Sequence, residues 1–152
     1  MSADADAEAP VASGRRSLQI GLVAVVTLVA FESLAVTTIL PDIEADLGGV
    51  AWYGWVTSAF FLGTMIGIVF AGDQADRRGA GRPYVIGLLL FALGLVIGGL
   101  APSMPVLVVG RFVQGFGAGV VPAIGYVAIS RAFSVQERPR MFAILSTAWV
   151  VP

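Results

Sequence analysis

The sequence contains no cysteine, no histidine and no lysine. Without cysteine there are no disulfides, no thiolate metal sites and no cysteine nucleophile. Without histidine the usual general base, the serine triad and the commonest metal ligand are absent. Most hydrolase chemistry is thereby excluded, and neither an enzymatic activity nor a cofactor is expected. Charge is scarce as well: 12% of the 152 residues are charged and 57% are hydrophobic, whereas an ordinary soluble domain is roughly a quarter charged. The formal net charge of -1 supplies no basic stripe for a phosphate backbone, so no nucleic-acid partner is expected. So apolar a chain is satisfied by a lipid bilayer.

A helix crossing the hydrocarbon core needs about 20 mostly apolar residues. Four such runs are present, at residues 18–40, 52–72, 83–101 and 105–130, and a fifth opens at 139 and reaches Pro152 at the end of the chain. Pro83 and Pro105 stand where helices begin, the position at which a missing backbone N–H costs least. A helix left half inserted would expose carbonyls to hydrocarbon at several kcal/mol each. The expectation is therefore an all-α, multi-pass membrane protein of which this is the N-terminal piece, with a C-terminal half missing. Residues 1–17, rich in Ala, Ser, Asp and Glu without apolar periodicity, are expected to form a disordered cytoplasmic tail. Arg15-Arg16 before an apolar run also suggests a twin-arginine export signal. A run of about 23 residues with an acid inside it and further spans behind it reads better as a retained first helix.

Arginine placement gives the orientation, because basic residues near helix ends stay cytoplasmic. Arg15 and Arg16 precede the first span, Arg77, Arg78 and Arg82 separate the second from the third, and Arg131, Arg138 and Arg140 separate the fourth from the fifth. The opposite connections, residues 41–51 and 102–104, hold no basic residue. The N-terminus is thus expected inside a plasma membrane, with Trp52, Tyr53 and Trp55 at the outer interface and Tyr84 at the inner one. Within the spans, small residues recur at helix-contact spacing: Gly63, Gly67 and Ala71, then Gly94 and Gly98, then Gly115, Gly117 and Gly119. Such spacing lets helix backbones approach closely. The run from Gly115 to Gly119 lacks the strand-turn-helix context of a dinucleotide loop.

Two ionisable residues lie inside apolar runs, Glu32 and Arg111, at about 2.5 to 3.5 kcal/mol each on insertion scales. Counted from Leu40, Glu32 is roughly 12 Å deep, and counted from Pro105, Arg111 is about 9 Å below the same surface. Opposite charges at matched depth on different helices can share an ion pair and lower each other's burial cost. A purely structural pair that fixes helix register is one reading, and an arginine that snorkels outward without touching the acid is another. The functional reading makes Glu32 a titratable proton or cation site whose state depends on whether Arg111, substrate or water lies beside it. Gln114 follows Arg111 at i+3 and can join the same network.

Three motifs give the chain its likeness to a known family. After the second span, Gly72-Asp73-Gln74-Ala75-Asp76-Arg77-Arg78-Gly79-Ala80-Gly81-Arg82 is similar to a loop signature of glycine, three residues, aspartate, a basic residue, any residue, glycine and two basics. Gly72, Asp76, Arg77 and Gly79 match, while Ala80 and Gly81 replace the final basics and Arg82 comes one place late. In the fourth span, Arg111-Phe112-Val113-Gln114-Gly115-Phe116-Gly117 follows an arginine, two residues, glutamine, glycine, any residue, glycine pattern. In the first, Glu32 precedes Pro41 by nine residues, with Leu34 and Thr37 at positions usually held by threonine and asparagine. The chain resembles the major facilitator superfamily, and within it the drug:proton antiporters of the fourteen-helix type. The resemblance implies the N-terminal part of a major-facilitator-type bundle, proton coupling through Glu32, Arg111 and Gln114, and a conformational-switch role for Gly72, Asp76, Arg77, Gly79 and Arg82. It further implies proton-driven efflux of small amphipathic or hydrophobic compounds. Proton-coupled uptake of a small metabolite and a non-transporting membrane module stay open beside it. The antiporter motif of the fifth span falls beyond Pro152.

Overall fold

The computed structural model describes residues 3–148, and the side chains of residues 16, 17 and 19–148. Among these, helix α1 spans Ala3–Leu47, a short 3-10 turn spans Val50–Trp52, and α2 spans Tyr53–Arg78, α3 Gly81–Gly99, α4 Met104–Ala132 and α5 Arg138–Thr147. Four of the helices, the first starting its apolar span at Gln19, are long and apolar enough to cross a membrane. Residues 149–152 of the expected fifth span lie outside the described residues.

The helices run past several of the ends that composition suggested. α1 does not stop at Leu40 but continues through Pro41 to Leu47. A proline removes one helical hydrogen bond without ending the helix when the flanking turns stay helical. What ends α1 is Gly48-Gly49, at φ 65 and 85, a left-handed conformation that glycine adopts freely. At its other end the helical backbone includes residues 3–17, read from composition as a disordered tail. Five alanines in that stretch are the strongest intrinsic helix formers.

The largest departure is at the expected loop after the second span. Residues 72–78 belong to α2, and only Gly79 and Ala80 lie between α2 and α3. The reason is local: Asp73 and Arg77 stand at i and i+4 and pair at 2.7 Å, which favours one more helical turn. The chain then reverses at Gly79, whose φ of 78 and ψ of 172 belong to a region essentially restricted to glycine. At the same end of the bundle Arg138 closes α4. Its Nε donates to the Phe133 carbonyl at 3.2 Å and its Nη2 to the Ser130 carbonyl at 2.5 Å, satisfying last-turn acceptors that the helix leaves open.

α4 is the central helix. In its most apolar window 56% of residues are buried, against 33% or less for the other three spans. It packs along its length on α2 and α3, and more sparsely on α1 and α5. The α2 contact is reciprocal. A methyl group added at Gly115 or Gly119 of α4 would run into the carbonyls of Phe60 and Thr64, and one added at Gly63 or Gly67 of α2 into those of Phe112 and Phe116. Gly94 meets Gln114, and Gly117 meets the Gly87 carbonyl and the Phe91 backbone, in the same manner between α3 and α4. Large apolar side chains such as Phe61, Met65 and Val69 on α2, and Leu89 and Val96 on α3, point outward, as lipid-facing or helix-facing surfaces do in a bilayer.

Candidate functional site

Glu32 and Arg111 meet in the interior. Leu40 of α1, Val56 of α2 and Met104 of α4 are buried in one cluster, which sets α1 and α4 at a common level. Glu32 lies two turns from Leu40, and Arg111 two turns from Met104, so the helical rise brings the carboxylate and the guanidinium to the same depth. Arg111 Nη1 donates to Glu32 Oε1 at 2.7 Å and to Gln114 Oε1 at 2.8 Å. The three residues are 8%, 4% and 2% exposed. Arg111 therefore does not snorkel.

A fourth residue, which the sequence reading did not single out, completes the arrangement. The guanidinium carbon of Arg111 lies 4.2 Å from the centroid of the Phe60 ring, a cation–π distance. Phe60 is fixed by the glycine contacts that hold α2 against α4. Its carbonyl faces Gly115 and accepts from Thr64 Oγ1 at 2.8 Å, and the same hydroxyl lies 3.2 Å from the Gly115 carbonyl. The sequence signal that points to Phe60 is its place one turn before Gly63 and Thr64 on the face of α2 that packs on α4. Leu34, by contrast, is exposed, and the Thr37 hydroxyl is spent on the Ser33 carbonyl of its own helix at 2.8 Å. Neither supports Glu32.

Three atoms of this group, Glu32 Oε2, Arg111 Nε and Gln114 Nε2, are buried with no hydrogen-bond partner among the described residues. Glu32, Arg111 and Gln114 line a cavity of about 220 Å³, which continues along Val36 and Ile39 of α1 and Leu95, Gly98 and Gly99 of α3. The pair is thus covered by the Phe60 ring toward α2 and bordered by open space between α1 and α3. Among the described residues no cluster of His, Cys, Asp or Glu suited to hold a metal ion occurs.

The residues of the loop signature sit at the other end of α2. Gly72 and Arg82 are exposed, Gly79 makes the reversal, and Arg77 is ion-paired. The partner of Arg77 is Asp73, not Asp76: among the described residues the Asp76 side chain is exposed and forms no ion pair. The i,i+4 spacing favours Asp73, whereas Asp76 adjoins Arg77 in sequence and points to a different side of the helix.

Residues 22–151 match the family model of the Major Facilitator Superfamily. The chain belongs to this superfamily. It is similar to a probable multidrug-efflux transporter of Mycobacterium tuberculosis, 33% identical over 83% of this chain and 27% of the relative. It is also similar to multidrug resistance protein 3 of Bacillus subtilis, 30% identical over 80% of this chain and 24% of the relative. A third relative is the multidrug resistance protein Stp of M. tuberculosis, 36% identical over 77% of this chain and 22% of the relative. The chain spans about a quarter of the length of these curated relatives. As a member of the Major Facilitator Superfamily with four long apolar helices, it is a multi-pass membrane protein.

Proposed function

We propose that this chain supplies the first helices of a secondary active transporter that exports small amphipathic or hydrophobic compounds in exchange for protons. It sits in the plasma membrane with its N-terminus in the cytoplasm and works with a C-terminal half that follows it. The observation that carries this reading is the buried ion pair of Glu32 with Arg111, on the span-four motif, in a chain similar to multidrug-efflux proteins. In this reading Glu32 is the proton carrier, since histidine is absent and the other acids of the membrane-spanning helices, Asp42, Glu44, Asp46, Asp73 and Asp76, stand at the helix ends, outside the apolar runs 18–40, 52–72, 83–101 and 105–130. Arg111 holds the carboxylate, and Gln114 holds Arg111. Substrate that draws Arg111 away changes whether Glu32 keeps or releases its proton, and the reciprocity of linked binding couples the two fluxes. The Gly79 reversal, with Asp76 and Arg77 beside it, acts at the cytoplasmic end as the switch against the other half.

The test is a fusion of this chain to the portion of the 33% identical M. tuberculosis relative that follows the matched segment, assayed in inverted membrane vesicles. Dye accumulation driven by an imposed proton gradient is expected. Glu32→Gln is expected to abolish that accumulation while dye counterflow without a gradient persists. The 152-residue chain purified alone is expected to be silent. Gradient-driven accumulation that survives Glu32→Gln would remove Glu32 from the coupling step, and substrate movement in the direction of the protons would make the protein an uptake system.

A further inference from the structure

The space around the ion pair is one-sided. Toward α2 the guanidinium is closed off by the Phe60 ring at 4.2 Å, and that ring is locked by backbone contacts between α2 and α4 that leave no room for a methyl group. Toward α1 and α3 lies the 220 Å³ cavity. All of its walls belong to the halves of the helices nearer the Leu47 end of α1 and the Met104 end of α4. It runs from the carboxylate past Val36 to Ile39, Leu95 and Gly99, which are exposed. The carboxylate oxygen that Arg111 does not hold, Oε2, and the Gln114 amide nitrogen are both buried without partners, one acceptor and one donor.

We propose that this crevice between α1 and α3 is a water route that connects Glu32 to the outer surface, separate from the face of α2. The volume suits water and not cargo. It holds several molecules at about 30 Å³ each, and is below the roughly 300 Å³ at which pockets for drug-sized ligands begin. Two residues that line the crevice, Glu32 and Gln114, each keep a buried polar atom without a partner, one an acceptor and one a donor, and two polar partners are the minimum that holds an internal water. Left dry, both atoms would keep the uncompensated desolvation cost of a buried polar group. Glycine at 98 and 99 keeps the α3 wall thin. A Cβ at Gly98 would meet only Leu107 Cδ1 at 3.5 Å, ordinary contact, and one at Gly99 would meet nothing within 4 Å. These two glycines are therefore not required by packing in the way that Gly94 or Gly115 is, and a bulky side chain at Gly99 can enter the crevice without pushing helices apart. The proton-coupled reading above supplies only the use of the route, which is protonation of Glu32 from outside while the α2 side stays sealed.

The absence of native cysteine makes the route directly measurable in the 152-residue chain. Single cysteines at Val36 and Leu95 report the crevice, one at Leu89 reports lipid, and Ala51→Cys and Ala80→Cys mark the two membrane faces. A small charged methanethiosulfonate reagent is applied to intact cells and to inverted vesicles. Val36→Cys and Leu95→Cys are expected to react from the face at which Ala51→Cys reacts, and Leu89→Cys from neither. Adding Gly99→Leu is expected to slow Val36→Cys by about tenfold or more, since thiol reaction follows access by water, while leaving Ala51→Cys unchanged. Unreactive cysteines at both Val36 and Leu95, reaction only from the Ala80 face, or a rate indifferent to Gly99→Leu would each overturn the proposal. The fusion experiment fails separately: labelling without proton-driven transport refutes the transporter reading, and proton-driven transport without labelling refutes the route.

Discussion

Removing one partner of the Glu32–Arg111 pair should cost far more than removing both. Arg111→Met takes away the donor at 2.7 Å from Glu32 Oε1, and Oε2 has no partner to begin with, so the carboxylate keeps no donor among the described residues. Breaking a buried pair in this way costs about 3–5 kcal/mol. Glu32→Gln leaves the guanidinium with Gln114 Oε1 at 2.8 Å and the Phe60 ring, so its cost lies nearer the insertion penalty of a lone cation, about 2.5–3.5 kcal/mol. In the double variant a neutral amide faces an apolar side chain of similar reach. What then remains is a partly unsatisfied amide, about 1–3 kcal/mol. With single costs of about 4 and 3 kcal/mol and a double-variant cost of about 2, the double-mutant cycle is expected to give a coupling energy of about 5 kcal/mol, above the roughly 3 kcal/mol that usually bounds residues in contact. Reversible unfolding in mixed micelles, followed by far-ultraviolet circular dichroism, measures all four proteins. Single costs that add within about 0.5 kcal/mol would mean that the two charges act independently, and the pair would lose its place as one electrostatic unit.

Glycine substitutions should divide by what a side chain would strike. Gly115→Leu is expected to separate α2 from α4 and to lower the unfolding midpoint sharply, whereas Gly72→Ala, in open space on a helix, is expected to stabilise by up to about 1 kcal/mol through propensity; equal effects in the same unfolding assay would refute this. Gly79→Ala, at φ 78 and ψ 172, should cost about 1–3 kcal/mol in backbone strain, measurable in the 152-residue chain, and a neutral result would show that the reversal relaxes. Asp73→Asn removes an exposed i,i+4 ion pair and should change stability by no more than about 0.5 kcal/mol. In the fusion protein Asp76→Asn should lower turnover for every substrate alike with affinity retained, and an effect confined to one substrate would exclude a switching role.

Much of this arrangement is legible in the residues. The four apolar runs mark the membrane-spanning helices, and the pairing of Glu32 with Arg111 follows from counting helical rise from two ends. That count succeeded although one of its ends was misplaced. α1 runs on to Leu47, yet Leu40 packs level with Met104, so the depth measured from Leu40 is the depth that matters. The loop signature misled because it was read as a loop. Its spacing of Asp73 to Arg77 is helical spacing, and the terminator is the single residue Gly79. Phe60 is harder to read for a different reason: its place one turn before Gly63 and Thr64 puts it on the packed face of α2, but an apolar residue in an apolar helix shows no role until the ring is seen over the guanidinium. The cavity was invisible as well, since it arises from what three helices leave between them and not from any one stretch of sequence.

The distribution of close contacts bears on how such a pair could work. α2 and α3 are each joined to α4 by glycines such as Gly63, Gly67, Gly94, Gly115, Gly117 and Gly119, at which an added methyl group would collide with backbone, and packed interfaces of that kind shift between discrete arrangements rather than deform smoothly. Arg111, Gln114 and Phe60 all belong to this joined unit. Glu32 does not, because α1 touches α4 more sparsely and through side chains such as Val29, Leu22 and Val26, not through glycine-backed backbone contact. The ion pair therefore bridges the tightly joined part of the bundle and the part held less tightly. A change that weakens the pair loosens α1 against the rest before it disturbs α2, α3 or α4. In the transporter reading, the protonation of Glu32 would then be felt first as a displacement of α1, and the helix that carries the proton would also be the one free to move.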